Sequence, residues 1–336
     1  MNNKIDITIK YAVFIALSLI AVYLCQTASR DWINYQWLFS LDTKKSWGQI
    51  FSEISIFKEP IYFLITKLGG EIIGFSLFMA ILTIVTLVTK LHYLSKIVKP
   101  TYVVCFFYIC SYFLLLDTTA LRVAYALAFT IPGFYYLQKK QVTLSIILVG
   151  LASQVHLTTI LFIIIYPLYF IRYLNFVVFG IFVLSPVVIW INFSVFEWLV
   201  QFSTIFTDKY AFYAQTKLLE QQNSTGLYFY FIGFYYLLVA SIYFYLRDDI
   251  FENPFKNVMA SLAMLGVIVM CLFHDNVAIG ARLGELLLIS TVFLLSWVYL
   301  KAKAHKHILI QLSLLVVFLM YAIARFIYLF PNIVSI

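Results

Sequence analysis

An all-α polytopic integral membrane protein is the fold class this sequence predicts, on three observations. Hydrophobic residues make up 63% of the 336 positions and charged residues only 11%, whereas soluble domains carry about a quarter charged. Apolar runs of about 17–23 residues, each long enough as helix to cross a hydrocarbon core of about 30 Å, recur from end to end. Lysine and arginine favour alternate connecting segments, the bias that fixes orientation in a membrane. No stretch is left over for a soluble domain, so residues 1–336 are expected to form a single transmembrane domain.

Eleven spans follow from these runs: 8–28, 72–90, 100–116, 121–138, 141–156, 157–171, 174–191, 227–246, 257–273, 284–300 and 308–330. The apolar stretch 60–68 is too short to cross, and Lys67, Gly69, Gly70 and Glu71 stop it, which predicts a re-entrant or interfacial helix. The first span resembles a signal peptide, with Thr27-Ala28-Ser29 as a small-residue site. Repeated insertion of the remaining chain favours an uncleaved signal anchor.

Two connecting segments are long, 29–71 and 192–226, and function is expected there. In the second, Phe196, Trp198, Leu199 and Phe202 are interrupted by Glu197, Gln201 and Asp208. That pattern predicts an amphipathic segment near 195–215 lying at the interface or capping a cavity.

Orientation follows from counting. One face collects thirteen lysines and arginines, among them Lys90, Lys96, Lys99, Lys139 and Lys303, and is expected to be cytoplasmic. The opposite face holds nine, including Arg30, Arg122 and Arg282. The net charge of +8 is therefore mostly a topology signal. Anionic lipid headgroups are the partners it implies, and nucleic acid is not. Cys25, Cys105, Cys110 and Cys271 lie in or beside apolar runs without CxxC spacing and are expected to be small core residues.

Five polar breaks share the outer face: Arg30-Asp31, Glu59-Pro60, Asp117 to Arg122, His156, and Arg282 to Glu285. Arg122 heads a span rich in small residues, Ala124, Ala126 and Ala128, where a guanidinium either snorkels to headgroups or faces a cavity. His156 sits between two apolar runs with almost no loop. Such a histidine either bonds a neighbouring carbonyl or serves as a base near neutral pH. Glu59-Pro60 suits a helix start. Arg282 and Glu285 share a helical face and form a local ion pair, or else Arg282 together with Arg122 clamps a pyrophosphate. No carboxylate or histidine cluster with ligand spacing, Walker loop or GxSxG elbow is found, so neither metal nor cofactor is expected.

The order of these motifs resembles the EpsG family of polysaccharide polymerases, the Wzy-type enzymes that extend O-antigen or exopolysaccharide. Arg30-Asp31-Trp32 with Tyr35, Glu59-Pro60 before Tyr62, Arg122 with its alanine-rich helix, and His156 followed by Leu-Thr-Thr carry the likeness over residues 25–170. Beyond them it rests on Tyr210 to Tyr213 and on Arg282. The resemblance implies a bacterial inner-membrane glycosyltransferase, active at the periplasmic face. It would transfer a growing glycan from undecaprenyl pyrophosphate onto a lipid-linked repeat unit, with a chain-length-regulating co-polymerase as an expected partner. His156, Arg122, Arg282, Asp31 and Glu59 are the expected catalytic residues. Arg30, Trp32, Tyr35, Asp117, Tyr210, Glu285 and Arg325 are expected to bind substrate. An O-antigen ligase, a polytopic O-acyltransferase and a lipid-linked oligosaccharide transporter are the competing classes.

Overall fold

The computed structural model describes residues 2–29, 31–53, 59–193, 195, 225–330 and 333. Among them every regular element is helical, and the helices group into two compact units. The expected amphipathic segment near 195–215 lies outside the described residues.

The first unit comprises Met1–Ile163 and Tyr299–Ile336. It contains α1 (Asn2–Ala28), α2 (Trp32–Lys44), α3 (Trp47–Glu53), α4 (Pro60–Ile72), α5 (Phe75–Ile97) and α6 (Thr101–Tyr108). α6 continues as a π-helix over Ile109–Asp117, followed by α7 (Leu121–Gln138) and α8 (Val142–Val155). A 3-10 helix, Leu157–Ile164, then leads into α9 (Ile165–Phe170). α7 packs between α5 and α8, and α1 packs on α5.

The second unit is Ile164–Val298. It holds α9, α10 (Arg172–Trp190), α11 (Thr225–Tyr245), α12 (Arg247–Glu252), α13 (Pro254–Leu272) and α14 (Val277–Leu287). A 3-10 turn joins α14 to α15 (Thr291–Ala304), and α16 (Ile308–Leu329) returns to the first unit, against the π-helix. α13 is the buried centre of the second unit, touching α9, α10, α11 and α14. Its start is set by Asn253, whose side chain accepts from the Phe255 and Lys256 N–H groups, with Pro254 in the first turn.

Seven helical segments among the described residues are long and apolar enough to cross a membrane. They match seven of the eleven expected spans. The other four correspond to 101–117, α7, α8 and 157–170, of which all but α7 are shorter apolar helices. The protein is thus an all-α polytopic membrane protein. The four cysteines are free and buried, as the sequence suggests.

Three local expectations change. Gly69 and Gly70 do not stop α4, which runs on to Ile72. A Cβ on Gly69 would meet the Phe78 ring at 2.0 Å, and one on Gly70 would meet the Thr43 methyl at 2.0 Å. These glycines let neighbouring helices approach, and the turn falls instead at Gly74, with φ 75°. Lys67 is likewise accommodated, donating to the Thr43 carbonyl at 2.7 Å and pairing with Glu71 at 3.1 Å.

The second change concerns Arg282, expected at the head of a span starting at 284. It lies inside a helix that begins at Val277, where the Asn276 side chain accepts from the Ile279 N–H. The third concerns Lys90, counted as a cytoplasmic charge. It is fully buried and paired with Asp117, so it says nothing about loop location. Without it the count is twelve against nine and keeps its sign. Alkaline phosphatase fusions check the orientation. Activity is expected after residue 223 and none after 139 or 303; the reverse at any of these sites overturns it.

Candidate active site

One carboxylate, one imidazole and one guanidinium, far apart in sequence, meet in the first unit. Glu59 stands immediately before α4, with Pro60 in the first helical turn. Its backbone is left-handed, φ 54° and ψ 55°, a conformation costing a residue with a Cβ about 1 kcal/mol or more. The side chain does not cap its own helix. Oε2 accepts from Arg122 Nη1 at 2.9 Å. Oε1 accepts from His156 Nδ1 at 2.7 Å and from the Leu157 backbone N–H at 3.0 Å. Hydrogen bonds to a charged group contribute about 1.5–3 kcal/mol each, enough to hold the strained backbone in place.

Local sequence explains each donor. His156 ends α8 with an extended backbone, φ −150° and ψ 115°, its own N–H still bonded to Ala152 O. Leu157 opens the next helix, so its N–H has no preceding helical carbonyl and is free for an anion. Arg122 projects from the first turn of α7, while Ala124, Ala126 and Ala128 are buried against protein. Its guanidinium lies 5.6 Å from the Tyr62 ring centroid.

Burial alone would raise the Glu59 carboxyl. The bond and charge of His156, then Arg122 and the Leu157 N–H, hold it down to about 2 instead. An ionised carboxylate only accepts, so His156 carries its Nδ1 proton toward Glu59. Nε2 is then the nitrogen left for chemistry. Side-chain exposures of 35% for Arg122, 19% for His156 and 13% for Glu59 keep the cluster reachable yet largely dehydrated. Only one Arg122 nitrogen is engaged by Glu59, which leaves further N–H groups for an anion.

The other expected site residues are placed unevenly. Tyr35 is buried within electrostatic reach of Arg122 and Asp31; burial pushes its phenol up, so it stays a proton donor. Asp31 precedes α2, its N–H donating to Ser29 Oγ. The Trp32 ring packs on Phe75, with centroids 4.6 Å apart. Asp117 is buried, with one oxygen bound by Lys90 and the other accepting from Tyr108 OH at 2.6 Å. Arg325 donates to the Ser111 carbonyl at 2.8 Å, fastening α16 to the π-helix. Arg30 and Tyr210 lie outside the described residues.

Arg282 and Glu285 occupy α14 in the second unit. Two glycines bracket that arginine, in the motif Gly280-Ala281-Arg282-Leu283-Gly284. A Cβ on Gly284 would sit 2.9 Å from the Gly266 carbonyl, and one on Gly280 would sit 2.9 Å from the Phe273 carbonyl. This GxxxG seam with α13 leaves Arg282 exposed. Sequence reading missed it although the motif is explicit. Nothing in the sequence signalled that the Leu157 N–H joins the Glu59 cluster. Among the described residues no three His, Cys, Asp or Glu side chains gather as a metal-binding group.

Fold and site together define a polytopic helical membrane protein with a carboxylate-bridged imidazole and guanidinium. The chain matches the EpsG family over residues 7–332, nearly its full length, and belongs to that family of polysaccharide polymerase-like proteins. Neither a curated protein nor a solved structure matches it.

Proposed function

We propose that this protein is a polysaccharide polymerase that moves a growing glycan from undecaprenyl pyrophosphate to a lipid-linked repeat unit at the periplasmic face of the inner membrane. The observation that carries the reading is the Glu59 network, which joins a base with a free nitrogen to a cation that has unused donors. In the reaction the bond between the anomeric carbon and the pyrophosphate oxygen breaks as a bond to the acceptor oxygen forms. His156 Nε2 takes the acceptor hydroxyl proton. Arg122 offsets the charge that grows on the departing pyrophosphate. Glu59 holds both partners and stabilises the imidazolium, as a carboxylate does behind a catalytic histidine.

Arg282 is exposed on α14, and its guanidinium suits phosphate oxygens; its part is tested on its own. Purified protein with lipid-linked repeat units is expected to extend chains in EDTA, because the cations here belong to the protein. Activity that disappears in EDTA and returns with magnesium refutes metal independence. Arg282→Ala, at equal expression, is expected to stop extension, with Arg282→Lys restoring it only in part because lysine lacks the bidentate fork. A normal glycan ladder in Arg282→Ala removes Arg282 from the site. Deleting the protein from its host is expected to leave single-repeat glycan; complete loss of attached glycan instead indicates a ligase or transporter, and normal length with lost acetyl an acyltransferase.

A further inference from the structure

The end of α7 remote from Arg122 carries a second grouping that the proposed reaction does not use. Lys139 follows Arg122 by 17 residues, roughly 25 Å of helix and close to the thickness of a hydrocarbon core. Here the end of α5 and the start of α1 bring further lysines alongside. Lys96 Nζ lies 5.0 Å from the Tyr93 ring centroid and 5.5 Å from that of Tyr135. Lys139 Nζ approaches the same Tyr135 ring at 5.8 Å. Two ammonium groups therefore sit on one aromatic ring. Lys10 lies within electrostatic range of Lys96 and Lys99 and donates to Ser95 Oγ.

Among the described side chains no carboxylate pairs with Lys96, Lys99 or Lys139, and all three lysines are exposed. A helix C-terminus attracts a lysine on its own account. That explains one such residue per helix, but not two cations from different helices sharing the Tyr135 ring, with Lys10 of a third helix in electrostatic range. The tyrosines fix the ammonium positions in advance, so an incoming anion meets charges already ordered. Beside the patch, Val13 and, two turns on along the same face of α1, Ile20 each expose half of their surface, an apolar track on which acyl chains can lie.

We propose that the adjoining ends of α1, α5 and α7 bind the phosphodiester headgroup of an anionic membrane lipid, with Lys96 and Lys139 on the phosphate. The adjacent apolar track favours a lipid over free phosphate as the source of that chemistry. This reading does not depend on the reaction at Glu59.

Native mass spectrometry of the full-length protein released from nanodiscs tests it, using phosphatidylglycerol and phosphatidylcholine in equal amounts. The wild type is expected to retain phosphatidylglycerol preferentially. Retention is expected to fall roughly fivefold for Lys96→Gln or Lys139→Gln, and about 25-fold for both together. Lys140→Gln, outside the cation–aromatic contacts, serves as the matched control and is expected to retain lipid as wild type does. Equal retention of the two lipids by the wild type overturns the proposal without recourse to any variant. So does unchanged phosphatidylglycerol retention in the double variant, or a loss as large in Lys140→Gln. Displacement of the lipid by millimolar inorganic phosphate overturns the lipid assignment and leaves a phosphate site only.

Discussion

Glu59→Gln is expected to slow chain extension by about 10²–10⁴-fold, the range seen when a general base loses its function or its orienting carboxylate. The amide keeps the size of the side chain but not its charge. Its oxygen can still accept from His156 or Leu157, yet its NH2 group then faces the Arg122 guanidinium, donor against donor. Both functional partners are disturbed by one substitution. If Glu59 acts through His156, the two residues behave as a unit, and adding Glu59→Gln to His156→Ala costs little further rate. Full additivity of the two losses sinks that assignment. Near-wild-type turnover in His156→Ala moves the base elsewhere, with Asp31 the next carboxylate to test.

A companion variant separates chemistry from folding. Glu59 occupies φ 54°, where glycine is at ease. Glu59→Gly is therefore expected to insert and fold while losing extension, and failure of this variant to fold would mark the carboxylate as structural. The pH sign follows from the lowered carboxyl. With an ordinary carboxyl near about 4.3 and this one held down to about 2, its stabilising effect is complete above about pH 4.3 and is lost as pH falls toward 2. Between pH 5 and 8 Glu59 does not titrate, so a rate change there belongs to another group.

Composition and apolar run length made the membrane class and the spans readable, because burial in lipid leaves a signal in every residue of a helix. Glu59, Arg122 and His156 were each conspicuous as polar breaks, but their meeting was not. Arg122 and His156 lie 63 and 97 residues from Glu59, and periodicity carries no information about pairs so distant. Glu59-Pro60 reads as a helix start, which it is; the dipeptide does not show the left-handed backbone that turns the carboxylate onto three donors from other segments. Gly69 and Gly70 look like punctuation because a sequence does not show which side chain fills the missing Cβ. Lys90 counts as a loop charge in the sequence for a related reason. A loop lysine and a neutralised buried lysine look alike until the counter-ion, Asp117, is in view.

That pair gives the second large effect. Asp117→Asn is expected to destabilise the protein by about 3–5 kcal/mol, because it strands the Lys90 ammonium in a fully buried site where Asp117 is its carboxylate partner. Lys90→Met strands the opposite charge and is expected to cost a similar amount, though Tyr108 still donates to the carboxylate. Replacing both, as Lys90→Met with Asp117→Leu, removes the two charges together and is expected to recover most of the loss, since well-packed apolar residues often match a buried ion pair. Thermal unfolding in detergent measures the three variants. The same series decides between the structural role and the substrate-binding role first expected of Asp117. A structural pair predicts that extension per folded molecule survives in the double variant; a substrate ligand predicts stable Asp117→Asn protein and a double variant that folds but cannot extend the glycan.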